Sequence, residues 1–91
     1  MNNKVLIKVI FPELSKTFDV YIPVNERVWK IKKLIIKSVC DLTRENLDLN
    51  KEYGFINKNS GKMYDSNDII IETDIKTGTE IIIITAKSVN K

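Results

Sequence analysis

The sequence contains no histidine and only one cysteine, Cys40. The absence of histidine removes both the commonest general base and the commonest metal-binding side chain. One cysteine cannot form an intramolecular disulfide or a cysteine-based metal cluster. Cys40 falls near the C-terminal end of a predicted helix, where the helix dipole opposes a thiolate, so we interpret it as a packing residue.

Glycine is also scarce, with three residues in 91, and the chain has no glycine-rich loop. Gly61 precedes Lys62, but the surrounding residues lack the frame of a phosphate-binding loop. The acidic residues between Asp65 and Asp74 lack the spacing of a calcium-binding loop. We therefore predict a protein that is not an enzyme and that has no cofactor and no metal site.

Long hydrophobic runs are absent too, since the four isoleucines at 81–84 are too few to span a membrane. The residues after Met1 do not form an apolar leader, so we expect a cytoplasmic protein without direct membrane insertion. The net charge of +3 permits contact with an anionic surface without requiring it. No aromatic residue lies between the helix lysines Lys30, Lys33 and Lys37, which argues against nucleic-acid binding.

The apolar residues at the start of the chain alternate with a period of two. This pattern predicts strands over 4–11 and 17–22, joined by the turn 12–16 as a hairpin. Both faces of the first strand are largely apolar, whereas the second strand places Tyr21 on its outward face.

From residue 26 to about residue 39 the period changes to three and four, which predicts an amphipathic helix with Asn25 as its N-cap. The stripe predicted to face the sheet consists of Val28, Ile31, Leu34, Ile35, Val39 and Leu42. A second apolar edge consists of Trp29, Ile36 and Cys40.

The sequence of the second half of the chain predicts short secondary-structure elements joined by turns. We expect an irregular loop over 41–51, a strand over 52–57, a brief strand over 62–64, and either a short strand or one helical turn over 69–75. Gly61 is expected to have a positive φ in the turn 58–61. The turn 76–79 leads into the final strand, 80–86, whose consecutive β-branched residues are typical of a central strand.

A hairpin, a helix, two short strands and a long final strand, in this order, predict the α+β β-grasp, or ubiquitin-like, fold. The expected structure is a mixed sheet of four to five strands with one helix packed across one face. We expect residues 1–86 to form this single domain and residues 87–91 to form a short polar tail.

Two segments and the chain length carry a more specific resemblance. Residues 18–36 read FDVYIPVNERVWKIKKLII, and residues 74–84 read DIKTGTEIIII. Together with a domain that fills the chain, they resemble the ubiquitin-like YukD/EsaB family, which is associated with the type VII (ESX-like) secretion systems of Gram-positive bacteria. The resemblance implies protein partners, namely cytosolic parts of the membrane-embedded secretion components, and it transfers no catalytic residue.

The chain lacks the C-terminal diglycine of ubiquitin and of the sulfur carriers, because no glycine follows Gly78. We therefore expect no conjugation or thiocarboxylate chemistry. The predicted function is a non-enzymatic accessory or regulatory component of a type VII secretion system that docks non-covalently. The alternative is a β-grasp scaffold or adaptor module unrelated to secretion.

The outward face of the sheet is the first candidate site, because a β-grasp helix covers only one face. The residues predicted to form one contiguous apolar patch there are Leu6, Ile10, Tyr21, Ile82 and Ile84. Such a patch is seldom left bare on a monomer, so it predicts a partner site or a surface for homo-oligomers. Partial cover by the 41–51 loop or by the tail is the alternative.

The helix supplies two further candidates. Trp29 and Ile36 are predicted either to contact a partner or to pack beneath a neighbouring loop. The basic patch consists of Arg27, Lys30, Lys33 and Lys37. It is predicted either to contact an acidic partner or acidic lipid headgroups, or to be an ordinary solvated helix face.

Overall fold

A computed structural model describes residues 3–44, 47 and 51–85. The strands are β1 (Lys4–Phe11), β2 (Lys16–Pro23), β3 (Tyr53–Asn57) and β4 (Glu80–Thr85), and the helix is α1 (Val28–Thr43). Single 3-10 turns occur at Pro12–Leu14 and Ile70–Glu72. The expected ubiquitin-like β-grasp arrangement is confirmed, with one α-helix and a four-stranded mixed sheet in the described part of the chain.

The sheet has the strand order β2-β1-β4-β3. β1 and β2 pair antiparallel along their whole length, as the hairpin pattern predicted, and β3 pairs antiparallel with β4. β4 lies parallel to β1, with Lys8 opposite Glu80 and Ile10 opposite Ile82. The first and last strands are therefore the two central strands.

Backbone hydrogen bonds fix the entry of the chain into β4. The Gly78 N–H donates to the Leu6 carbonyl at 2.9 Å, and the Lys8 N–H donates to the Thr79 carbonyl at 3.0 Å. Gly78 has a φ of 98°, which side-chain-bearing residues rarely adopt. Gly61 has a φ of 75°, so the positive φ predicted for the 58–61 turn is confirmed.

The core lies between α1 and the inward face of the sheet. Ile7, Val9, Ile81 and Ile83 are all at most 1% exposed, which confirms the inward phase predicted for β1 and β4, and Val5 is only partly buried. Burial of a side chain of this size stabilises the fold by about 1.5–3 kcal/mol.

The helix differs from the prediction at both ends. It begins at Val28 and continues to Thr43, so it replaces the first part of the predicted 41–51 loop. Asn25 is not the N-cap; Arg27 occupies that position without a side-chain cap. The first helical N–H groups bond instead to a distant loop, Val28 to the Asp68 carbonyl at 2.9 Å and Trp29 to the Ser66 carbonyl at 3.0 Å.

The buried stripe of the helix is also shifted. Leu34 is 46% exposed and Leu42 is 74% exposed, so both were wrongly assigned to the stripe. Ile36 is 3% exposed and belongs to the core. The buried residues of α1 are Val28, Ile31, Ile35, Ile36 and Val39.

One of the shorter predicted elements takes another form, and one of the two alternatives for another is adopted. Residues 62–64 do not form a strand; Met63 makes a single antiparallel bridge to Ile56. Within 69–75 the helical turn is the form adopted, at Ile70–Glu72. Most of 45–50, together with residue 86 and the tail 87–91, lies outside the described residues.

Polar contacts hold the connection between β3 and β4 in place. The Asn57 Nδ2 donates to the Tyr64 hydroxyl at 3.1 Å, and that hydroxyl donates to the Asp74 Oδ1 at 2.5 Å. The Asn57 Oδ1 accepts hydrogen bonds from the N–H groups of Asn59 and Ser60. Asn57 is 8% exposed, and both the nitrogen and the oxygen of its side-chain amide thus have hydrogen-bond partners.

Substitution of Arg44 by Gly is expected to stabilise the protein. Arg44 ends α1 with a φ of 63°, and its N–H donates to the Cys40 carbonyl at 2.9 Å. Glycine adopts this conformation without strain, so we expect the free energy of unfolding to rise by about 0.5–1 kcal/mol. Urea unfolding measures the change. Lys37→Gly is the control, because glycine inside a helix should lower stability by about 1 kcal/mol; a loss of stability in both variants would contradict the assigned helix end.

Substitution of Tyr64 by Phe should lower stability at pH 7. The hydrogen bond from Tyr64 holds the pKa of Asp74 below its usual value. The stabilisation is therefore present above about pH 4 and is lost as the pH falls through the lowered pKa of the folded state. Burial, followed by the hydrogen bond to Asp74, raises the pKa of Tyr64, so stability should also fall as the pH rises above about 10.

Urea unfolding between pH 2 and pH 11 tests the expected losses of stability at low and at high pH. Tyr64→Phe should be destabilised at pH 7, and that deficit should shrink at each pH extreme. Tyr21→Phe is the matched control, because the Tyr21 side chain is 65% exposed. Equal pH profiles for the wild type and Tyr64→Phe would contradict the role given to this hydrogen bond.

Candidate functional site

Three isoleucines line up across the face of the sheet that points away from α1. Ile10 on β1 lies opposite Ile82 on β4, and Ile82 lies opposite Ile56 on β3. Residues that are opposite one another in neighbouring strands share a face of the sheet, so these side chains are neighbours. Each is only partly buried.

Ile84 and Met63 extend this row. Ile84 lies two residues beyond Ile82 on the same face and opposite Gly54. Met63 is bridged to Ile56 and is 61% exposed. Because Gly54 has no side chain, Met63 can lie over it: a Cβ added at Gly54 would be 3.2 Å from the Met63 Cε. We call the resulting surface the isoleucine patch; its members are Ile10, Ile56, Met63, Ile82 and Ile84.

A row of charged residues divides the outward face. Lys8 lies between Leu6 and Ile10 on β1, opposite Asp19 on one side and Glu80 on the other. The Lys8 Nζ is 3.4 Å from the Asp19 Oδ1. The prediction of one contiguous patch is therefore wrong: Leu6 and Tyr21 lie opposite each other, beyond the charged row.

Sequence reasoning missed Ile56 and Met63 as members of the outward face. The alternation within β3 was a usable signal for Ile56, because Tyr53 and Phe55 are buried and Ile56 lies in the opposite phase. Met63 had no such signal. Its position depends on the single bridge to Ile56 and on the space above Gly54.

The two candidates on the helix flank have different environments. Trp29 is 45% exposed, whereas Ile36 is 3% exposed. Of the two alternatives left open by the sequence, packing therefore applies to Ile36, which lies in the core. Trp29 lies at the surface, where it can contact a partner. The Lys33 Nζ lies 5.9 Å from the centre of the Trp29 ring, within the range of a cation–π contact.

The structure places all four residues of the predicted basic patch at the surface: Arg27, Lys30, Lys33 and Lys37. Besides the contact of Lys33 with the Trp29 ring, two of them have a hydrogen-bond or ion-pair partner. The Arg27 Nη1 donates to the Asn67 carbonyl at 2.6 Å, and the Lys30 Nζ lies 3.6 Å from the Glu26 Oε1.

The reactive side chains are held in structural contacts. The Cys40 Sγ is partly buried and lies 4.0 Å from the Leu47 carbonyl oxygen. The carboxylates of Asp65 and Asp68 accept hydrogen bonds from N–H groups of their own turn. Among residues 3–44, 47 and 51–85, no three metal-binding side chains are grouped as a metal site. In the same part of the chain, α1 is too short and too polar to cross a membrane.

No family model matches the sequence, and no curated protein matches it. Many solved structures do match, among them several ubiquitin-like domains. The ubiquitin-like domain of an Arabidopsis thaliana protein is 27% identical, with a TM-score of 0.69 over 99% of this chain and 84% of that chain.

Two further structural neighbours concern ESX-5. The EccD5 ubiquitin-like domain from Mycobacterium xenopi has a TM-score of 0.76 at 10% identity, over 92% of this chain and 96% of that chain. A chain of the ESX-5 inner membrane complex has a TM-score of 0.75 at 14% identity; the match covers 92% of this chain but only 21% of that one. These likenesses show that the fold is ubiquitin-like.

Alanine substitutions at Trp29 and Ile36 should differ clearly in their effect on stability. Ile36→Ala empties a buried site and should cost about 2–5 kcal/mol. Trp29→Ala removes a half-exposed ring and should cost about 1 kcal/mol or less. Chemical denaturation measures both values, and an equal large loss would place Trp29 in the core instead.

Proposed function

We propose that this chain is a non-enzymatic, ubiquitin-like accessory or regulatory component of a bacterial type VII secretion system. It docks non-covalently onto cytosolic parts of the membrane secretion components. The isoleucine patch carries this proposal, because five apolar side chains lie together on a sheet face that the helix does not cover. Surfaces of this kind on small domains are typical of protein interaction sites.

Two observations support the secretion context. The sequence resembles the YukD/EsaB family of Gram-positive bacteria in residues 18–36 and 74–84. The fold resembles the EccD5 ubiquitin-like domain and a chain of the ESX-5 inner membrane complex. A cytoplasmic location follows from the same proposal, since the partners are cytosolic domains.

The charges around the patch favour an apolar, close-fitting partner surface. Lys8 is within salt-bridge distance of Asp19, and the Lys58 Nζ lies 3.9 Å from the Glu80 Oε1. Because these charges are matched within the chain, the border of the patch presents little net charge to a partner. Affinity should then depend mainly on the burial of apolar area.

The double variant Ile82→Lys plus Ile84→Lys tests the docking surface. We expect at least a tenfold loss of co-purification with the secretion ATPase and its membrane partners from native cells, because two ammonium groups would be desolvated in the contact. The free energy of unfolding should change by no more than about 1–2 kcal/mol, since both side chains are partly exposed in the free protein.

The matched control is Leu34→Lys plus Ile71→Lys. Both residues are apolar and exposed, at 46% and 66%, and neither belongs to the isoleucine patch. This control should bind as the wild type does. Unchanged capture by the patch variant would contradict the proposal, and loss of self-association without loss of partner capture would identify the patch as a dimer surface.

The remaining alternatives differ in other measurements. A scaffold module unrelated to secretion would be encoded away from secretion genes and would not capture their products. A conjugated modifier or sulfur carrier would show a covalent adduct or a thiocarboxylate in the intact mass of the protein from native cells. Either result would replace the proposed function.

A further inference from the structure

A concave surface lies on the helix side of the sheet. It is a cleft of about 330 Å³ between α1 and the segments that enter β3 and follow residue 65. It is distinct from the isoleucine patch, which lies on the other face of the sheet. Its lining includes Trp29, Lys32, Lys33, Ile36, Lys51 and Tyr53.

The cleft has an apolar interior. Ile36 and Tyr53 are 3% and 6% exposed, so they form its base, and the half-exposed Trp29 ring forms one wall. An exposed indole beside a concave apolar base is the usual setting of an interface hot spot, because an incoming apolar side chain can be surrounded and desolvated there.

Hydrogen bonds hold the walls of the cleft together before any ligand arrives. The Lys32 Nζ donates to the Tyr53 carbonyl at 2.6 Å and lies 3.3 Å from the Ser66 Oγ. The Trp29 N–H donates to the Ser66 carbonyl at 3.0 Å. Binding in a preorganised cleft costs little conformational entropy.

The charge of the cleft is predominantly positive. Lys33 and Lys51 are exposed lining residues, and Glu52 is the one acidic lining residue in the described part of the chain. Lys37, exposed one turn beyond Lys33 on α1, continues the positive surface. Neither Lys33 nor Lys37 forms an ion pair with any described residue.

We propose that this cleft binds an acidic peptide segment of a protein partner. The segment inserts one apolar side chain against Trp29 and Ile36, and it places carboxylates against Lys33 and Lys51. Charge complementarity favours an acidic segment as the ligand, and the apolar base of the cleft favours a segment that carries an apolar side chain. A concave site with a recessed base favours an inserted side chain over the flat surface of a bilayer.

The test uses a defined probe, the terminally blocked peptide EEFLEEFLEE labelled with fluorescein. Binding is measured by fluorescence anisotropy, and the unlabelled peptide is also titrated while the emission of Trp29 is followed. Trp29 is the only tryptophan of the chain and the peptide has none, so its emission reports on the cleft directly. We expect saturable binding and a shift of the tryptophan emission.

Substitutions separate the cleft from general electrostatic attraction. Lys33→Glu and Lys51→Glu should each weaken binding at least fivefold, and Trp29→Ala should weaken it at least tenfold. Lys16→Glu is the matched control: it makes the same charge change at an exposed residue of β2 and should leave binding within twofold. The Ile82→Lys plus Ile84→Lys variant should also retain binding, which separates this inference from the proposed function.

Three results would overturn the proposal. The first is equal binding of a peptide in which glutamine replaces every glutamate. The second is equal weakening by Lys16→Glu and Lys33→Glu, which would show unspecific attraction. The third is co-sedimentation with phosphatidylglycerol vesicles in the absence of peptide binding, which would assign the basic surface to a membrane.

Discussion

The parallel pairing of β1 with β4 is the contact on which the rest of the structure depends. It brings together the first and last strands, which are separated by the helix and by all the short elements, and its register is anchored by hydrogen bonds from Gly78 and Lys8. A shift by one residue would exchange the two faces of β4. Ile81 and Ile83 would then leave the core, and Ile82 and Ile84 would replace them.

The pairing of β1 with β4 also determines which side chains lie on the outward face of the sheet. β4 is flanked on one side by β1 and on the other by β3, so its outward residue Ile82 has an isoleucine neighbour on each side, Ile10 and Ile56. The same sheet carries the cleft beside Trp29 on its helix side. A small domain thus presents two surfaces of different chemistry, one apolar with matched charges at its border and one positive with an apolar base.

Local patterns in the sequence predicted the strands, the helix and their order, because alternation and helical period depend on nearby residues alone. The features that failed depend on distant ones. Asn25 did not cap the helix because the loop carbonyls of Ser66 and Asp68 already accept hydrogen bonds from the first N–H groups of α1. Ile36 is buried in the same core cluster as Tyr53, a residue 17 positions away, whereas Leu42 is 74% exposed. Met63 joins the outward face through one bridge that no periodicity could reveal.

The position of Met63 also exposes the isoleucine patch to oxidants. Its thioether lies on an open surface, 61% exposed, beside Ile56 and above the backbone of Gly54. Conversion to methionine sulfoxide would place a polar S=O group, on a sulfur that becomes stereogenic, among side chains that have no hydrogen-bonding groups. The proposed docking surface would then carry a group that must be desolvated on binding. Peroxide in the surroundings, and the reductases that repair sulfoxides, would thereby change the chemistry of the proposed docking surface.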